Sequence, residues 1–173
     1  RVGEYTESED AYGRALAPHA RNPGFLIDYG LLLMDMGRIA EARHRFLDAV
    51  DLEPDAAEAR IYASLACFEC GDAQRAAQLI PASGVWHGLP PHLREELATA
   101  LMQVGRTEEA EGLLLAPGMQ QSASGIIRLA QLSERTNRIE QAEALLTRAR
   151  AALTTPGRQE QIDLLHLESS LAM

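Results

Sequence analysis

Apolar and small residues along this chain keep a helical rhythm that breaks at regular intervals. In the stretch 23–56, Leu26, Tyr29 and Leu33 stand three to four residues apart, the spacing of one face of an α-helix. Gly30 interrupts that face with no side chain at all. A second run places Ala42, Phe46 and Ala49 on one face, with charged residues between them. Gly37 separates the two runs, and a glycine just past a helical pattern stops a helix because it accepts φ > 0. The pattern predicts two antiparallel helices joined by a short turn. Asn22-Pro23 opens the first as an N-cap followed by a first-turn proline. No run of β-branched residues predicts a strand.

The hairpin recurs. Gly37, Gly71 and Gly105 stand 34 residues apart, each followed five residues later by an alanine, at Ala42, Ala76 and Ala110. Asn137 and Ala142 repeat the pair after a step of 32, and Asn is the residue next best suited to the left-handed conformation. A period of this size marks one supersecondary unit stacked on copies of itself. With the glycine set at position fifteen, the stretch 23–56 carries Gly30 at eight, Ala42 at twenty, Phe46 at twenty-four, Ala49 at twenty-seven and Pro54 at thirty-two. In this it resembles the tetratricopeptide repeat (TPR) family. Units 57–90, 91–122 and 123–156 keep the register with Ser64, Ala98 and Ala130 at position eight. A half repeat over 1–22 puts Gly3, Tyr12 and Ala15 at fifteen, twenty-four and twenty-seven, and 157–173 forms a terminal helix.

The resemblance implies an all-α, right-handed α-solenoid of helix-turn-helix units, one domain over 1–173. Small residues at eight and twenty let the paired helices cross closely, and a larger side chain there would overpack the crossing by about 1–3 kcal/mol. Arg1 falls inside a half repeat, which predicts a further helix upstream. Pro81 and Pro117 are expected to end two second helices early, since proline removes a helix hydrogen bond. Trp86 is expected to refill the volume that the lost turn vacates, and Thr155-Pro156 to open the last helix. That helix keeps Leu164, Leu165 and Leu167 with few charges, so it either serves as the first helix of another repeat or mediates self-association.

Charge narrows the partners. The net charge of −9 argues against nucleic acid, whose phosphates need a basic stripe, and against anionic membranes. It favours basic or amphipathic partners. No stretch approaches the roughly 18 unbroken apolar residues of a membrane span, and no charged-then-apolar leader opens the chain. Cytoplasm is the expected compartment, with the periplasm as the alternative.

The isolated motifs favour packing over chemistry. Cys67 and Cys70 form a C-x-x-C, but a zinc site needs four ligands and no second pair exists. The cysteines stand just before Gly71, at a helix C-terminus, where the dipole opposes thiolate formation. They are expected to be structural. His87 and His92 flank a Gly- and Pro-rich loop without a ligand spacing. Glu95-Glu96 and Glu108-Glu109 are adjacent acids, expected on solvated helix faces. No phosphate loop or catalytic triad ordering is present, so no enzyme activity, metal or cofactor is expected.

In the TPR family the first helices of successive repeats line a concave groove. Carried onto this chain, the groove positions are Ile27, Asp28, Leu31 and Met34, then Ile61, Tyr62, Leu65 and Phe68, then Glu95, then Arg128 and Arg135. The clamp by which some members hold an acidic C-terminal tail uses Lys and Asn where this chain has Ile27, Leu31, Ile61 and Leu65, so such a tail is not the expected ligand. The apolar stripe flanked by acids predicts a protein or peptide partner with apolar anchors and basic flanks. The expected function is a non-catalytic interaction scaffold. The alternatives are a substrate-recruiting arm of a larger bacterial enzyme of the glycosyltransferase or sulfotransferase type, or an assembly factor for secretion or pili, with homo-oligomerisation through the C-terminal helix.

Overall fold

Side chains mark where several helices of the computed structural model start and stop; the structure describes residues 11–15, 18–19, 21–116, 118–119, 122–152 and 158–171. Helix α1 (Pro23–Asp35) is capped by Asn22, whose side chain accepts the Phe25 amide at 3.2 Å, with Pro23 in the first turn. It ends at Gly37, where φ is 75°. There the Gly37 amide donates to the Met34 carbonyl and the Arg38 amide to the Leu33 carbonyl, both at 2.8 Å. This paired ending uses up carbonyls that the helix leaves open. The same ending recurs at Gly71 (φ 82°), Gly105 (φ 81°) and Asn137 (φ 58°), the four sites the period marks.

The remaining helices are α2 (Ile39–Leu52), α3 (Ala57–Glu69), α4 (Ala73–Leu79), α5 (Pro91–Gln103), α6 (Thr107–Leu114), α7 (Ala123–Arg135), α8 (Ile139–Ala152) and α9 (Arg158–Leu171). Residues 11–15 and 18–19 are also helical, and no strand occurs among the described residues. None of the described helices is long and apolar enough to cross a membrane. The chain divides into two compact units, 1–85 and 86–173. The first holds the hairpins α1/α2 and α3/α4; the second holds α5/α6, α7/α8 and α9.

Inside each hairpin the small residues let the helices cross closely. A Cβ placed on Gly30 would come within 2.5 Å of the Phe46 ring, which is itself fully buried. In α3/α4 the small residue is Ser64, and its hydroxyl donates to the Ala76 carbonyl at 2.9 Å, so a buried polar atom finds a partner. Alanines serve elsewhere: Ala98 and Ala110 in α5/α6, Ala130 and Ala142 in α7/α8, all fully buried.

Helix α4 stops at Leu79, ahead of Pro81, after 7 residues. Its open carbonyls are met from α3. Arg60 donates through Nη2 to the Gln78 and Ile80 carbonyls at 3.1 and 3.3 Å, and through Nη1 to the Pro54 carbonyl at 3.2 Å. Helix α6 is also short, at 8 residues. Pro117, expected to stop it, lies outside the described residues, as do Gly3 and Thr155-Pro156. Trp86 is buried in a 3₁₀ segment, Ser83–Gly88, with the Arg106 guanidinium 5.5 Å above its ring. Helix α9 packs on α7 and α8, burying Leu164 and Leu167, and so takes the place of the first helix of another repeat. Its Leu165 faces outward.

Two second helices open on a matched pair of charges. Arg38 donates twice to the Glu41 carboxylate, at 2.7 and 2.6 Å, and Arg106 twice to Glu109, at 2.6 Å each. The hydrogen bonds from the guanidinium hold each carboxyl below its ordinary pKa.

Candidate functional site

The first helices of unit one carry the groove positions in two distinct states. On α1, Asp28 and Asp35 are exposed while Leu31 and Met34 are half-buried, a mixed face of acid and apolar surface. Phe68 near the end of α3 is half-buried too, with Glu58 half-buried and Glu69 exposed on the same helix. Ile27, Ile61, Tyr62 and Leu65, by contrast, are interior. The apolar stripe expected to lie open in the groove is therefore largely core, and Ile61 is 0% exposed. The reason lies in the composition of α3. Ala59, Ala63 and Ala66 let α2 and α4 approach, and a helix apolar on every side is a buried helix. Tyr62 spends its ring on Phe46, stacked with centroids 5.5 Å apart.

In unit two the acids of α5 are engaged rather than solvated. Glu95 is half-buried and accepts hydrogen bonds from the hydroxyls of Ser122 at 2.8 Å and Ser124 at 2.7 Å. Glu96 pairs with Arg128 at 3.2 Å, with both side chains partly covered. Adjacent residues on a helix diverge by about 100°, so the two carboxylates reach two separate partners at the start of α7. This corrects the expectation of a solvated face for Glu95-Glu96. Ser122 also caps α7 by accepting the Gly125 amide at 3.3 Å. Glu108 and Glu109 do stand exposed in the first turn of α6, where a helix N-terminus favours acids. Arg135 is exposed in the last turn of α7, the favourable end for a cation.

The cysteine pair has the surroundings of packing residues. Cys67 is buried and Cys70 half-buried. Burial pushes the Cys67 thiol above its ordinary pKa, with nearby Asp72 adding to the shift and Arg43 opposing it. A thiol held protonated is a poor nucleophile and a poor ligand. His87 and His92 are both exposed. Among the described residues no three of His, Cys, Asp or Glu come together as a metal site would need.

Sequence reasoning missed Arg60. It occupies position four, where the family carries a large apolar residue, and its guanidinium ties the ends of two second helices. The signal was present as an arginine at an expected core position, which requires acceptors nearby.

Comparison with known proteins places these observations. Residues 27–82 match the tetratricopeptide repeat family model. No curated protein matches the chain. Among solved structures, Cut9-Hcn1 of the APC/C hetero-tetramer superposes with a TM-score of 0.70 at 16% identity, covering 99% of this chain and 34% of that one. The chain thus spans about a third of that longer relative. A thermophilic TPR protein from Thermus thermophilus gives a TM-score of 0.67 at 16% identity, over 99% of this chain and 93% of that one. YrrB, a TPR protein with an unusual peptide-binding site, gives 0.56 at 12% identity, over 94% and 91%. At these identities the likeness establishes the fold.

Proposed function

Because residues 27–82 are tetratricopeptide repeats and the described helices share the fold of solved TPR proteins, we propose that this chain is a non-catalytic scaffold that binds a protein or peptide. The face that serves is the first-helix face of unit one. The observation that carries the reading is the pairing, on α1, of two exposed carboxylates, Asp28 and Asp35, with the half-buried apolar side chains of Leu31 and Met34. Such a face suits a segment with apolar anchors between basic residues: the anchors remove apolar surface from water at about 25 cal/mol per Å², and the charges orient the segment. Phe68 on α3 extends the apolar part. In unit two, Glu95 and Arg128 are already bound to neighbours, while Arg135 stands exposed.

The reading is tested with an arrayed library of synthetic 15-residue peptides. Peptides with Lys or Arg flanking Leu, Ile or Phe should bind and should weaken as salt rises. Leu31→Glu combined with Asp35→Lys should abolish that binding while the far-UV circular dichroism stays unchanged. Retained binding by a folded double variant would remove α1 from the site.

A further inference from the structure

We draw no further inference here: the strongest candidate, the half-buried cluster of Glu95, Ser122 and Ser124 where α5 meets the start of α7, is a helix N-terminus whose polar side chains hydrogen-bond to one another, and nothing else in the structure points to a ligand there.

Discussion

The crossing of α1 on α2 makes a prediction opposite in sign to helix propensity. Gly30 lies inside a helix, where alanine is better than glycine by about 1 kcal/mol. On propensity alone Gly30→Ala stabilises. The added methyl would, however, sit 2.5 Å from Cε1 and 2.8 Å from Cδ1 and Cζ of Phe46, inside the 3.4 Å at which ordinary contact begins. Either the ring turns or the helices part by about 1 Å, and overpacking of this kind costs about 1–3 kcal/mol. Phe46 is fully buried and cannot turn into solvent. The net expectation is a loss of about 1 kcal/mol, seen as a fall of about 2–4 °C in Tm for a chain of this size. Urea unfolding followed by circular dichroism measures it, in a cycle with Phe46→Leu. Because the smaller side chain relieves the clash, the double variant should be more stable than the sum of the singles by about 1 kcal/mol. A stabilising Gly30→Ala that adds simply to Phe46→Leu would refute the crossing argument.

Three further outcomes are expected. Asn137→Gly should hold or raise stability by a few tenths of a kcal/mol, and Asn137→Ala should lower it by about 1 kcal/mol, since φ is 58° there and only the first substitution removes the Cβ; thermal melts decide it. Native-state alkylation at neutral pH should modify Cys70 well before Cys67, whose thiol is buried and shifted upward; rapid stoichiometric labelling of Cys67 would contradict the packing role. The Glu109 carboxyl should titrate below the ordinary glutamate range by NMR and return to it in Arg106→Gln. Because its folded pKa is the lowered one, the pair's small contribution to stability is present above the ordinary glutamate value and fades as pH falls through the lowered value.

What could be read from the residues was whatever a period and a backbone requirement express together. The four left-handed turns at Gly37, Gly71, Gly105 and Asn137 were legible because few other residues adopt that conformation. The shortening of α4 followed from Pro81, and the tight crossings from Gly30, Ser64, Ala98 and Ala130. The openness of the groove was less legible. A position on a first helix names the direction a side chain takes, but whether water reaches it depends on how closely the neighbours pack. In α3 the alanines at 59, 63 and 66 draw those neighbours in and cover Ile61, Tyr62 and Leu65. The partners of Glu95 were illegible for a related reason, since Ser122 and Ser124 stand 27 and 29 residues away, beyond the reach of any local pattern.

Arg60 bears on how well any surface of α1 and α3 can keep its form. Apolar layers resist separation but slide past one another at small cost, because dispersion is non-directional. A guanidinium that holds the Pro54 carbonyl after one hairpin and the Gln78 and Ile80 carbonyls within the next is directional, and its bonds tolerate only a few tenths of an ångström. It works as a spacer with a fixed gauge. The interval between the two hairpins of unit one is held in both length and phase, so a ligand that bridges α1 and α3 meets anchor points already set apart at the distance it must span.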